Sequence, residues 1–119
     1  MSLLKEIMSE PVVTVLPSDT VLRCARLMKE RNIESLVVAW GEQGVGIITE
    51  KDIVRRVVAE CLGYDTKVLD VMSKPLITIH ADSTTDEAVN KMKDYGIKRL
   101  PVEEKGKIIG IVVQSDLIE

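Results

Sequence analysis

A shift of 64 residues, the spacing of Met8 from Met72, lays this chain on itself without an insertion. Met8, Pro11, Thr14, Thr20, Met28, Ile33, Leu36, Val38, Gly46 and Asp52 fall on Met72, Pro75, Thr78, Thr84, Met92, Ile97, Leu100, Val102, Gly110 and Asp116. Turn, core and polar positions all match at one offset, which is the signature of a tandem structural unit. With 119 residues in all, each copy is near the size at which isolated folding becomes marginal, so two halves sharing one fold are expected. The repeats are assigned to residues 1–64 and 65–119, the second with a truncated final helix.

Each copy reads as short helix, strand, helix, strand, strand, helix. Leu3, Leu4, Ile7 and Met8 have helical spacing, and Pro11 ends that helix by restricting the residue before it. Val12 to Val15 follow as a strand, and Ser18 or Asp19 is positioned to cap a helix over about residues 20 to 31. That helix turns Val21, Cys24, Ala25 and Met28 inward and stops at Asn32, whose repeat mate Gly96 marks a left-handed backbone position. A hairpin around Gly41 to Gly44 carries Trp40 at its edge, and a second amphipathic helix runs from Thr49 toward Gly63. In the second copy the same order returns through Val68 to Met72, strand Ile77 to Ile79, a helix from about Thr84 to Tyr95 with a Ser83/Asp86 capping box, and a hairpin from Arg99 to Val113. A three-stranded sheet with two helices on one side leaves its other face bare, so pairing of the two sheets is expected. The opening helix at residues 3 to 8 is placed to substitute for cover that the short final helix does not supply.

Phe is absent and aromatics are only 3% of the chain, so its core must be built from branched aliphatic side chains. Sixteen Lys and Arg against 19 Asp and Glu argue against general binding to nucleic acid or a membrane surface. No apolar run reaches the roughly 20 residues that cross a bilayer, and the N-terminus lacks a basic region followed by an apolar core. A cytoplasmic protein is therefore expected. Cys24 and Cys61 read as buried small hydrophobes, while one His and no CxxC give no basis for a zinc site.

Two stretches concentrate polar chemistry: Gly46-Ile-Ile-Thr-Glu-Lys-Asp52 and Gly110-Ile-Val-Val-Gln-Ser-Asp116. Each runs a strand into a helix start, where backbone N–H groups, a hydroxyl and a carboxylate converge. Thr49 and Asp52 also have the spacing of a capping box, so a purely structural role competes with a ligand role. Val113 stands in the place of Thr49, and neighbouring Ser115 offers only a cap in shifted register.

Together with Met8-Ser-Glu-Pro11, Met72-Ser-Lys-Pro75, Val13-Thr-Val15, Ile77-Thr-Ile79 and Arg99-Leu-Pro-Val102, these stretches resemble the CBS-domain pair, or Bateman module, over essentially the whole chain. The resemblance implies an α/β fold of tandem CBS repeats, with two small sheets packed together and helices outside. It also implies a stand-alone regulatory module that binds AMP, ADP, ATP or S-adenosylmethionine, forms a homodimer and acts on a separate effector protein. By the same resemblance Asp52 and Asp116 take ribose hydroxyls, to which an acceptor-only carboxylate is suited. Val12, Thr14, Ile77, Thr78 and Pro101 border the purine, Thr49 and Ser115 offer hydroxyls, and Lys98 with Arg99 grips phosphate. The first copy has Glu34 and Ser35 where the second has Lys98 and Arg99, while Arg55 and Arg56 are further phosphate candidates. Threonine in a strand and a solvated basic pair are the plainer readings of several of these positions. No catalytic constellation is present, since His80 has no sequence-defined partner and no P-loop or dinucleotide fingerprint occurs. A ligand-independent interaction or oligomerisation module is the competing assignment.

Overall fold

The computed structural model describes residues 2–9 and 12–117, so the helix stop assigned to Pro11 and the last residues of the final helix lie outside the described residues. The chain is an α/β fold with two three-stranded sheets and helices packed on them. It divides into two compact units, Val13–Leu76 and Met1–Val12 joined to Ile77–Glu119.

In the Val13–Leu76 unit, β1 (Thr14–Val15) pairs parallel with β2 (Ser35–Trp40), which pairs antiparallel with β3 (Gln43–Thr49). Helix α2 (Val21–Arg31) places Val21, Cys24 and Met28 against Val15, Leu36, Val38 and Ile48. Its N-cap is Thr20, whose hydroxyl accepts the Arg23 N–H at 3.2 Å, not Ser18 or Asp19. Asp19 instead accepts the Leu16 N–H at 2.7 Å and closes the preceding turn. Asn32 adopts φ 53°, the left-handed stop expected from its pairing with Gly96.

Helix α3 (Glu50–Asp52) continues as a π-helix, Ile53–Val58, with Ala59 N–H bonded to the Val54 carbonyl and Leu62 N–H to the Val57 carbonyl. The wider turn changes which residues face inward. Val57 is buried, whereas Val54 and Val58 are exposed on the single chain, so only part of the helix's apolar side faces this unit's core. Cys61, expected to be buried, is exposed at φ 58°, where the chain leaves the helix. Cys24 is buried, and that burial pushes its thiol up to about 11. One thiol is therefore expected to react with a disulfide reagent in the native protein and two after denaturation; two fast native thiols would contradict the packing of α2.

Helix α4 (Val68–Val71) closes this unit, burying Val68 and Val71 in its core. Ser73 then pairs with the outer edge of β3 through reciprocal backbone bonds to Ile47 of 3.0 and 2.8 Å.

In the other unit, β4 (Ile79–His80), β5 (Arg99–Glu104) and β6 (Lys107–Val113) repeat the same order and pairings. Both sheets shift register at the same place, between Val38 and Ala39 and between Val102 and Glu103. Helix α5 (Thr85–Tyr95) is capped by Thr84 and Glu87 in a reciprocal box, one residue later than the Ser83/Asp86 pair. It ends at Gly96 with φ 65°, the same left-handed position as Asn32. After β6 the described chain has only one 3-10 turn, Gln114–Leu117.

Helix α1 (Leu4–Ile7) belongs to this second unit, where Leu4 is fully buried beside Ile79, Ala88, Leu100 and Val112. It covers the unit with the short final turn, as expected, and α4 makes the corresponding contacts in the other unit, so this packing is common to both repeats. Each sequence repeat therefore lends its opening helix to the sheet of the other.

Candidate functional site

Parallel pairing at the first two strands and antiparallel pairing at the last two bring three pieces to one end of each sheet. These are the segment before the first strand, the start of the second and the end of the third. Two polar junctions result, built on one plan and differently equipped.

At the first, Ser35 lies opposite Thr49 and the Glu50 N–H bonds to the Glu34 carbonyl at 3.0 Å. Thr49 is extended and begins α3, with its hydroxyl accepting the Asp52 N–H at 3.2 Å. Asp52 Oδ2 accepts the Thr49 N–H at 3.0 Å and the Thr49 hydroxyl at 3.2 Å. Ser73 donates its hydroxyl to Asp52 Oδ1 at 3.1 Å, and Arg56 Nε lies 3.7 Å from the same oxygen. The carboxylate is 9% exposed, so most of its acceptor capacity is already used inside the protein. Arg56 also donates through Nη1 to the Val71 and Met72 carbonyls at 3.3 and 3.2 Å, satisfying the end of α4. That engagement makes it a weaker phosphate candidate than its charge suggests.

The second junction has the same backbone closure, with Arg99 opposite Val113 and the Gln114 N–H bonded to the Lys98 carbonyl at 2.7 Å. Its side chains differ. Val113 supplies no capping hydroxyl, and Asp116 is exposed with no hydrogen bond or ion pair to another described residue. Ser115 is likewise exposed and makes no shifted cap among the described residues. Ser9, the repeat mate of Ser73, pairs with Ile111 through its backbone and leaves Asp116 alone. The turn that carries exposed Asp116 thus begins at the residue bonded to exposed Lys98, next to half-buried Arg99 in sequence.

Strand starts also differ. In the first sheet the Val37 N–H bonds to the Val13 carbonyl at 3.2 Å. Pro101 occupies the position of Val37 and has no N–H, so β4 begins at Ile79, later than the expected Ile77. Ile77 and Thr78 are half-buried in the segment leading to β4, and Lys91 Nζ donates to the Thr78 carbonyl. Thr14 is the exposed first residue of β1, while half-buried Val12 belongs to the unit of the second junction.

The expected site residues therefore fall into two sets. Thr14, Thr49 and Asp52 lie in the Val13–Leu76 unit, and Val12, Ile77, Thr78, Lys98, Arg99, Pro101, Ser115 and Asp116 lie in the other. Ser73, Arg56 and Lys91 shape the sites in ways their sequence contexts did not reveal. The repeated Met-Ser-x-Pro motif was a signal for Ser73, and a lysine at the helix position where the first repeat has Leu27 was a signal for Lys91.

Among the described residues no group of three or more His, Cys, Asp and Glu is arranged to hold a metal ion, and no helix is long and apolar enough to cross a membrane. His80 accepts the Asp82 N–H through Nδ1 at 3.0 Å.

Comparison with known proteins places CBS domain matches at residues 4–59 and 68–119. Protein MK0525 of Methanopyrus kandleri is 39% identical over 96% of this chain, which spans only 60% of that protein's length. The CBS domain-containing protein YhcV of Bacillus subtilis is 35% identical, with 98% of this chain and 84% of YhcV covered. A solved structure of the CBS domain pair of protein MJ0100, in complex with 5′-methylthioadenosine and S-adenosyl-L-methionine, is similar at a TM-score of 0.88 and 29% identity. That match covers 98% of this chain and 92% of the MJ0100 chain.

Proposed function

We propose, on the premise that this chain belongs to the CBS domain family as a pair of CBS repeats, that it is a non-catalytic regulatory module which binds AMP, ADP, ATP or S-adenosylmethionine and modulates a partner protein in the cytoplasm. The observation that carries this reading is the second junction, where Asp116 has no partner among the described residues and lies on the turn after β6, whose Val113 pairs with Arg99 and whose Gln114 N–H is bonded to the Lys98 carbonyl. Asp116 accepts the ribose hydroxyls, Lys98 and Arg99 meet the phosphates or another anionic group, and Ser115 adds a hydroxyl. Ile77, Thr78, Val12 and Pro101 border the purine. The similarity to the MJ0100 pair, which holds two adenosyl compounds, supports the choice of ligand class.

At the first junction a ribose must compete with Ser73 for Asp52, so Thr14, Thr49 and Asp52 form the weaker set. Regulation requires tighter binding to one conformation than to another, because equal affinity shifts no population.

Titration calorimetry of ligand-stripped protein with each of the four compounds tests the assignment. Saturable binding of at least one is expected, and Asp116→Ala should weaken it by about ten-fold to a hundred-fold, the equivalent of roughly 1.5 to 3 kcal/mol for a hydrogen bond to a charged group. Absence of heat with all four would remove the ligand role. Exposed Val54, Val58 and Leu62 favour a second reading, a ligand-independent interaction module, which predicts partner capture unaffected by any of the compounds.

A further inference from the structure

Among the described residues Lys91 is a cation with no anionic partner. It stands half-buried on α5, its Nζ donates to the Thr78 carbonyl, and it forms no ion pair. Its repeat mate on α2 is Leu27, which packs on the first core, so a helix of this plan does not need a charge there to cover its sheet. A half-buried ammonium has lost part of its hydration, and a neutral carbonyl is a weaker acceptor for it than an anion.

Pro101 explains why that carbonyl is open to a side chain. In the first sheet the Val37 N–H ties down the segment before β1 through the Val13 carbonyl, at 3.2 Å. Pro101 stands in the place of Val37 without an N–H, and β4 begins one residue later in its repeat than β1. Among the described residues the bond from Lys91 is then the one hydrogen bond made by Leu76, Ile77 or Thr78. The same lysine adjoins the second junction. It lies one helical turn from Ala88 and next to Met92, and Leu117, on the turn that carries Ser115 and Asp116, packs on the core that holds both.

We propose that Lys91 is a latch operated by the ligand's phosphate, an inference that rests on the adenosyl-ligand reading of the second junction. In the free protein the ammonium ties Thr78 to α5. When a phosphate-bearing ligand binds, the flexible stem turns the ammonium onto a phosphate oxygen, where the charge-assisted bond is stronger than the one to the carbonyl. The Ile77–Thr78 segment is thereby released. An uncharged adenosyl compound offers the same purine and ribose but nothing to draw Lys91 away, so it binds with the latch closed. The two bound forms differ in conformation, as a response specific to the phosphate requires.

The test titrates the full chain with ATP and with adenosine, using wild type, Lys91→Met and Lys91→Arg. Lys91→Met should weaken ATP by about ten-fold or more and change adenosine by less than about three-fold, with Lys91→Arg keeping most of the ATP affinity. Equal weakening of both ligands by Lys91→Met would make the lysine a mere support of the segment, which overturns the latch and leaves the adenosyl reading standing. No binding of either ligand to wild type would end both. Adenosine that fails to bind where ATP binds would contradict a closed latch compatible with purine and ribose. The Ile79 amide belongs to the peptide unit whose carbonyl Lys91 holds, so its NMR signal in wild type should move with ATP well beyond its movement with adenosine. Equal movement would contradict the latch, and that comparison decides the matter even if a variant does not fold.

Discussion

Asp52→Ala is expected to lower the unfolding free energy by about 2 to 4 kcal/mol, seen as an earlier urea midpoint at unchanged slope. Several losses coincide. The side chain returns the N-cap bond to Thr49, a feature worth about 0.5 to 2 kcal/mol in comparable helices. It also accepts the Ser73 hydroxyl and lies beside Arg56, both of which hold the end of α4 on this unit. Removal leaves those donors in a half-buried setting without their acceptor. Asp52→Asn should recover part of the loss, because one amide oxygen still accepts from Thr49. Asp116→Ala offers the control: the residue is exposed and has no partner among the described residues, so the variant's stability should stay within about 0.5 kcal/mol of wild type. Equal destabilisation by the two alanines would mean that the two junctions are not differently wired.

Gly46→Ala is expected to cost about 1 to 3 kcal/mol through overpacking. A Cβ there would sit 2.8 Å from both Met72 Sδ and the Ser73 carbonyl oxygen. The sulfur can move, but Ser73 is tied to Ile47 by two backbone bonds, so the chain of β3 and the segment after α4 must separate. Gly110→Ala should cost less. Its Cβ meets only the Met8 side chain, which is half-buried and has rotamer freedom to swing aside. Thermal unfolding of both variants measures the difference; a larger loss for Gly110→Ala would show that Met8 is as firmly held as the Ser73 backbone.

The 64-residue offset made most of the architecture legible, because strand, turn and stop residues recur in pairs. Asn32 and Gly96 are the clearest instance, since a residue that tolerates positive φ is needed at one place in both copies. The lending of α1 and α4 between repeats was not legible, as Leu4 and Val68 would be apolar whichever sheet they joined. Nor was the π-helix. A run such as Ile53-Val54-Arg55-Arg56-Val57-Val58 is compatible with more than one helical pitch, and Cys61 is exposed because the helix has already ended, with φ 58° at that residue.

At the candidate site, the spacing of Thr49 and Asp52 announced the cap, whereas the occupation of Asp52 depends on Ser73, brought in from beyond α4. Loss of the Thr49 hydroxyl at Val113 counted against the second junction when read from sequence. In three dimensions the same change leaves Asp116 outside a capping box, with its acceptor positions unclaimed by described residues. The feature that weakens the helix start is the one that makes its carboxylate available. On the proposed reading, the first junction holds structure and the second receives the ligand.

Backbone amide NMR during addition of the tightest-binding adenosyl compound tests that division most directly. The largest shifts should fall on Lys98, Arg99 and Gln114 to Asp116, with Glu34, Ser35 and Thr49 to Asp52 changing only at higher ligand concentration. Shifts that appear first at Thr49 to Asp52, or at both junctions together, would contradict it.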